Sequence, residues 1–246
     1  MARFFLPQAN IHEGRAVVQG QELAHLMKVL RLRAGDFVTL FDNTGWEHKA
    51  VIETLTNERG ELKIIESHPS GRESPVPITL GVGLTKGEKL DWVIEKATEL
   101  GVSTIIPLSS SYTVPKLDVD RIHRRSERWR KIAVSAAKQC GRSRIPEVRS
   151  LCSFETFVSE SWPETLKLIF WENETEQSVG QLFDKCRETK NVLLAIGPEG
   201  GFAKREVELA KAQGFQSVHL GRRILRAETA ALAALTVVQF LWGDLH

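Results

Sequence analysis

The chain lacks the features that define several large classes of protein. It has 3 cysteines in 246 residues, with no C-x-x-C pair, so we expect neither a disulfide framework nor a cysteine zinc site. It has no run of about 18 apolar residues, so no membrane-spanning helix is expected. The apolar stretch at its N-terminus is too short for a signal peptide. These features predict a cytoplasmic protein that has no membrane partner.

Common nucleotide-binding and hydrolase motifs are also missing. The stretch Gly81–Gly87 has the pattern G-x-G-x-x-x-G, one residue too long for the dinucleotide fingerprint, and neither a P-loop nor a G-x-S-x-G elbow is found. The 7 histidines include no H-x-x-x-H pair, so we expect no metal site. A nicotinamide-dependent oxidoreductase is therefore a distant alternative.

The net charge of +2 is the sum of two opposed regions. Residues 121–144 contain nine basic side chains and one acid, a net +8, whereas the rest of the chain has 24 basic and 30 acidic side chains, a net −6. Helical spacing places five of the basic side chains on one face: Arg121, Arg124, Arg125, Arg128 and Lys131. Like charges at this spacing repel, and a partner that carries phosphates would remove that cost. A solvated helix face is the alternative interpretation.

A segment rich in proline and glycine, His68–Pro77, divides the chain. Before it, a helix over residues 21–30 and short strands, the last at Leu62–Ile65, predict a small antiparallel barrel. After it, strands alternate with helices, which predicts an α/β domain with a parallel sheet. The predicted organisation is a first domain over residues 1–70, a linker over 71–77 and a second domain over 78–246.

Two strands of the second domain end in loops that contain glycine and lead into helices. The apolar run Val192–Ile196 continues into Gly197–Gly201, and a second strand leads into Gly221–Ala230. Glycine allows a ligand to approach the backbone closely, and α/β proteins bind ligands at the carboxyl edge of the sheet. We therefore expect one composite pocket, with a sharp turn that binds no ligand as the alternative for either loop alone.

The two loops together resemble those of the SPOUT RNA methyltransferases. The segments Ile196–Gly201 and Leu220–Ala230 are most similar to the bacterial 16S ribosomal RNA uridine-N3 methyltransferase family. Weaker matches extend the resemblance over nearly the whole chain: Val29–Arg31, Gly35–Asp36, Lys86–Lys89, Glu99–Val102, Gln139–Arg142 and Pro146. The resemblance implies an α/β SPOUT trefoil-knot domain with a parallel sheet, preceded by a small PUA-like or OB-like β-barrel that binds RNA.

The resemblance also implies an activity, a cofactor and partners. The activity is methylation of N3 of a specific uridine in 16S ribosomal RNA, with S-adenosylmethionine (SAM) as methyl donor. The partners are this RNA, in the small ribosomal subunit, and a second copy of the chain, with the active site at the homodimer interface. The residues expected to hold SAM are Leu108, Ile196, Gly197, Pro198, Glu199, Gly200, Gly201, Leu220, Gly221, Ile224, Leu225, Ala227 and Ala230.

Three residues of the loops are candidates for catalysis. Glu199 and Glu228 are the acids in the two loops, and either could accept the N3 proton, although loop hydrogen bonding and helix capping are equally compatible with them. Arg226 is a candidate for stabilising negative charge on the uracil oxygens. The residues expected to bind RNA phosphates are Arg31, Arg33, Lys86, Arg121, Arg124, Arg125, Arg128 and Arg142.

Two alternative functions remain open from the sequence. A related knotted enzyme that methylates a ribose 2′-hydroxyl would carry the same pair of loops. A non-catalytic ribosome-assembly factor would need the basic clusters but not the paired glycine loops.

Overall fold

The computed structural model describes residues 2–114 and 118–246 of the chain, which form two compact units. Among these residues, the first unit takes in 2–73 and 134–145, and the second takes in 74–114, 118–133 and 146–246. Nothing in the local sequence predicts that Val134–Ile145 belongs to the first unit. The predicted bounds of the two domains and of the linker stay a prediction.

The first unit is built on a six-stranded sheet in the order β1-β4-β5-β6-β3-β2. The strands are β1 Ala2–Phe5, β2 Ile11–His12, β3 Arg15–Val18, β4 Phe37–Phe41, β5 Trp46–Leu55 and β6 Gly60–Pro69. All pairings are antiparallel except that of β1 with β4. Strand β6 continues beyond the predicted Leu62–Ile65. Its second half is exposed and has no alternating apolar residues, so the sequence pattern does not predict it as a strand.

The segment predicted as a helix over residues 21–30 is helical over Gly20–Val29, with a change of helix type within it. Helix α1 spans Gly20–Ala24 and passes into a wider π-helical turn at His25–Val29, in which the Leu30 N–H donates to the His25 carbonyl at 3.0 Å. Arg31 follows with a positive φ of 55°, and Arg31 and Arg33 are both exposed. The π turn therefore ends the helix and leaves both arginine side chains in solvent.

Arg142 is buried in the first unit, which corrects its expected role in RNA binding. Its side chain is 5% exposed, and Nη2 and Nε donate to one carboxylate oxygen of Glu73 at 2.7 and 3.0 Å. The other oxygen of Glu73 accepts from the backbone N–H groups of Ser143 and Arg144. A buried guanidinium is stable only while it is paired. Arg142 therefore holds this unit together and does not reach a phosphate.

The second unit is built on a parallel sheet in the order β10-β8-β7-β12-β11-β13, with β9 paired to β8. The strands are β7 Ile78–Gly83, β8 Thr104–Ser109, β9 Glu147–Val148, β10 Cys152–Ser153, β11 Thr165–Phe170, β12 Asn191–Ile196 and β13 Gln216–Val218. All their pairings are parallel. The predicted fold class, a parallel α/β sheet after a β-rich domain, is confirmed.

Helices connect the strands of this sheet. They are α2 Lys89–Glu99, α3 Val119–Cys140, α4 Phe154–Ser159, α5 Val179–Phe183, α6 Lys204–Ala212 and α7 Ala227–Trp242. A capping box begins α5, where Gln181 Oε1 accepts from the Ser178 N–H at 2.7 Å. No helix of the described residues is long and apolar enough to cross a membrane.

The register of the sheet brings three strand ends to one point. Phe170 at the end of β11 pairs with Ile196 of β12 on one side and with Val218 of β13 on the other. Because parallel strands share one carboxyl edge, the loops that follow them open on the same side of the sheet. Strand β11 therefore lies between the two glycine loops.

Candidate active site

A cavity of about 280 Å³ opens at this edge of the sheet. Its walls are the loop after β12, the loop after β13 and the end of β11. All the residues predicted to hold SAM line it, with the exception of Leu108. Leu108 lies in the hydrophobic core with no exposed surface, and its carbonyl accepts from the Leu84 N–H at 2.8 Å. Its expected place in the pocket is therefore corrected.

The structure adds lining residues that sequence reasoning missed: Phe170, Trp171, Glu172, Val218, His219, Arg222 and Arg223. Phe170 is the last residue of β11, and Trp171 and Glu172 follow it directly. The position of β11 between the two glycine loops depends on the strand order of the whole sheet. The Trp171 indole Nε1 is a buried donor for which the described residues supply no acceptor. Such a donor fits a bound molecule that offers a hydrogen-bond acceptor.

Glycine is required where the loops approach other backbone closely. A Cβ at Gly83, the end of β7, would lie 2.3 Å from the Pro198 nitrogen, and a Cβ at Gly197 would lie 2.9 Å from the backbone of Gly201. Gly201 has a positive φ of 70°, and a Cβ there would meet the Glu172 carboxylate. The loop after β12 is thus packed so tightly that side chains are excluded from its bends.

Lys89, at the start of α2, lies between two glutamates of the loops. Its Nζ donates to Glu199 Oε1 at 3.1 Å and lies 3.8 Å from Glu228 Oε2. Glu199 Oε1 also accepts from the Lys86 N–H at 3.2 Å. Glu228 Oε2 is buried without a hydrogen bond among the described residues, so the Lys89 charge stabilises it only at a longer distance. Sequence reasoning missed Lys89 because its partners lie more than 100 residues away.

The surroundings of Glu199 keep it ionised. Burial is the largest single influence and acts to raise the pKa of Glu199. Hydrogen bonds from the backbone N–H groups of Glu199 and Lys86, together with the Lys89 ammonium group, outweigh that effect and lower the pKa below the usual carboxyl range. Glu199 is therefore a carboxylate at neutral pH, and a weak base.

The other two candidates for catalysis lie beside the cavity. Arg226 is exposed and immediately precedes α7, and neither it nor Glu228 belongs to the described lining residues. Their neighbours Ala227 and Ala230 do line the cavity. One helical turn of α7 thus presents cavity-lining and charged side chains together.

The basic face of α3 is partly neutralised within the second unit. Arg128 Nη2 lies 2.7 Å from carboxylate oxygens of Glu88 and Asp91, and Arg125 donates to the Gly87 carbonyl at 2.8 Å. Arg121 lies 3.4 Å from Asp118. Arg124 and Lys131 are exposed, as is Lys86. Glu88 and Asp91, which are distant from α3 in the sequence, therefore offset part of the repulsion between its basic side chains. The sequence had suggested that a partner carrying phosphates would remove this repulsion.

Two family models match the chain in the order of the two units. Residues 18–65 match a family described as RNA methyltransferase PUA domain, and residues 72–239 match one described as RNA methyltransferase domain. The second match covers the parallel sheet and both glycine loops. The fold and the cavity are accordingly those of an RNA methyltransferase.

Relatives that match the chain along its full length show which kind of RNA methyltransferase it is. Ribosomal RNA small subunit methyltransferase E of Bacillus subtilis (strain 168) is 32% identical, over 98% of this chain and 96% of the relative. A crystal structure of the enzyme of that name from Neisseria gonorrhoeae, bound to S-adenosyl methionine, is 35% identical over 100% of both chains, with a TM-score of 0.89. The chain belongs to the ribosomal RNA small subunit methyltransferase E family, and the resemblance seen in the sequence is confirmed.

A further structural relative has the same fold. A methyltransferase from Legionella pneumophila, in complex with the bound cofactor SAM, is 35% identical with a TM-score of 0.89, over 99% of this chain and 98% of the relative.

We predict that Lys89→Met raises the pKa of Glu199, because the substitution removes one of the groups that lower it. In the wild type, the lowered pKa contributes stability that is present above the usual carboxyl range and is lost as the pH falls through the lowered value. The variant should therefore lose part of the stability that the lowered pKa of Glu199 contributes at neutral pH. The measurement is NMR titration of the Glu199 carboxyl carbon, with acid denaturation alongside.

Lys96→Met is the matched control, since Lys96 lies on the same helix and pairs with Glu95 and Glu99 instead. It should leave the Glu199 titration unchanged. An unaltered Glu199 titration in Lys89→Met would mean that the backbone N–H groups alone set the pKa.

Proposed function

We propose that this protein transfers a methyl group from SAM to N3 of a uridine in small-subunit ribosomal RNA. The observation that carries the proposal is the cavity between two glycine loops in a chain of this family. The names of the relatives specify the small subunit, and two of the related structures hold SAM. The choice of uracil N3 rests on the resemblance of the two loops to the uridine-N3 methyltransferases.

The residues of the cavity fit SAM. Apolar side chains of Ile196, Leu220 and Leu225 suit an adenine ring, and loop backbone supplies hydrogen-bonding groups at the carboxyl edge of the sheet. Glu172 also lines the cavity, and its carboxylate suits a positive charge of the donor. When bound, SAM supplies a methyl group that is already activated by its sulfonium.

The side chains of this protein then position the uracil and accept the proton that its N3 atom loses. Neutral N3–H has no free lone pair, so its proton would have to leave as N3 bonds to the methyl carbon, while the methyl–sulfur bond breaks and the donor departs as a neutral thioether. We assign the proton to Glu228, directly or through a water molecule, because the hydrogen bonds that Glu199 accepts from Lys86 and Lys89 make it a weak base, whereas Glu228 Oε2 accepts none among the described residues. Arg226, exposed beside the same turn of α7, stabilises the negative charge that develops on the uracil oxygens.

Each unit has basic side chains suited to RNA phosphates. Arg31 and Arg33 project from the first unit after the π turn. In the second unit, Lys86, Arg121, Arg124 and Arg128 are exposed, and Arg125 is half-buried. Phosphate contacts hold the RNA without reading its sequence.

We also propose a cytoplasmic homodimer. Helix α7 buries one face, yet Phe240 on it is 57% exposed, and Trp92 on the adjacent α2 is 45% exposed. Apolar side chains exposed on two packed helices suit a second copy of the chain. The three cysteines are free thiols, which suits a reducing compartment.

The proposal predicts a defined product. The protein, given SAM with a labelled methyl group, should label small subunits that lack the modification, and nucleoside mass spectrometry should identify N3-methyluridine. Fully modified subunits are the control and should take up no label. A ribose 2′-O-methyl nucleoside would contradict the assignment to N3, and absence of transfer would contradict the activity.

We expect Ala230→Trp to abolish SAM binding, because Ala230 lines the cavity from the first turn of α7 and an indole there would fill it. Isothermal calorimetry measures the loss. Ala212→Trp, at the exposed end of α6, is the matched control and should bind SAM as the wild type does. If a cooperatively melting Ala230→Trp variant keeps the wild-type affinity, SAM binds elsewhere.

The double variant Arg124→Ala, Lys131→Ala should bind RNA with a weaker salt dependence. Each lost phosphate contact reduces the slope of log K against log salt by roughly 1, so we expect a decrease of about 1 to 2. Filter binding over a salt series measures the slope. Arg187→Ala removes an exposed arginine of the Asp184 pair and should leave the slope unchanged. An unchanged slope in the double variant would remove the α3 face from the RNA-binding surface.

A further inference from the structure

A second cavity is bordered by Gly200, in the loop after β12. It has a volume of about 420 Å³ and is lined by Ser111, Tyr112, Thr113, Val114 and Gly200. Gly200 also lines the proposed SAM cavity, so a single backbone residue forms a wall of both. A molecule in the second cavity would therefore lie next to the one in the first.

Tyr112, the only tyrosine of the chain, forms the aromatic wall of this cavity. It is 52% exposed, so the hydrophobic core does not account for it. A Cβ on Gly200 would lie 2.7 Å from the Tyr112 Cβ, so the side chain begins directly against the glycine loop. The absence of a side chain at Gly200 is what allows this approach.

The backbone around Tyr112 is held rigidly. Glu206 is 2% exposed, and its two carboxylate oxygens accept from the N–H groups of Ser111 and Ala203, each at 2.8 Å. Thr113 Oγ1 accepts from the Ser110 N–H at 2.8 Å and closes the turn on the other side. A buried carboxylate thus fixes the loop after β8 to the start of α6, and Tyr112 is positioned before any ligand arrives.

We propose that Tyr112 is the platform on which the acceptor uracil stacks while its N3 reaches the methyl donor past Gly200, which has no side chain to block the approach. Proteins that read single RNA bases stack them on exposed aromatic rings, and the tyrosine hydroxyl adds a donor and an acceptor at the base edge. Arg205, exposed and bonded to Ser111 Oγ at 3.0 Å, stands beside the cavity for the phosphate of the same nucleotide. The assignment rests on the proposed function and identifies the acceptor subsite of that reaction.

Three variants of Tyr112 distinguish base stacking on its ring from the mere filling of space by its side chain. Tyr112→Ala and Tyr112→Leu should lower kcat/KM for unmodified small subunits by roughly 10- to 100-fold, the range expected for one lost base–aromatic stack. Tyr112→Phe keeps the ring and should retain most of the activity. All three should bind SAM with wild-type affinity by calorimetry and melt at the wild-type temperature.

A photocrosslink tests the contact without turnover. An RNA fragment with 5-iodouridine at the acceptor position is irradiated with the wild-type protein, and the crosslinked peptide is sequenced by mass spectrometry. The crosslink is expected at Tyr112, and a crosslink confined to other residues would overturn the assignment.

Other results are equally decisive. Activity of Tyr112→Leu equal to that of Tyr112→Phe would make the side chain a filler of space and overturn stacking. A loss of SAM affinity in Tyr112→Ala that matches the loss of activity would place its effect in the donor loop and also overturn the inference. If the wild type itself transfers no methyl group to RNA, the proposed function fails, and the inference fails with it.

Discussion

Parallel pairing of β11 with both β12 and β13 is the constraint on which the candidate active site depends. The pairing sets Ile196, Phe170 and Val218 side by side at one edge of the sheet. Each loop alone is a tight turn with few side chains to offer. Held one strand apart, they form a cavity whose third wall is the end of β11. The hydrogen bonds among these three strands thus set where the pocket lies, and the residues of the two loops supply most of its lining.

Local signals in the sequence were enough to predict the two glycine loops. An apolar run that ends in glycine, followed by a helical pattern, needs no knowledge of distant residues. Strand order is a property of the whole sheet, so the contributions of Phe170 and Trp171 could not be predicted. The same limit applies to Lys89, which meets Glu199 across 110 residues of chain. Leu108 was misplaced because a strand end can turn toward the core as readily as toward a ligand.

Charge was the property that the sequence described least well. A count along the chain treats nine basic residues as one block, whereas the structure gives them different environments. Arg142 is buried against Glu73, Arg128 pairs with two acids near α2, and Arg124 remains exposed. Ionic partners come from elsewhere in the fold, so the free positive surface is smaller than the count implies. The residues left exposed are those available for the RNA binding proposed above.

The contact of Gly83 with Pro198 also restricts how this protein can evolve. A side chain at position 83 would occupy the place of the Pro198 backbone, so this position is restricted to glycine for as long as the loop after β12 keeps its path. A single substitution at Gly83 would therefore displace the loop that forms the cavity wall. An engineered transfer of the loop into another protein must carry the end of β7 with it.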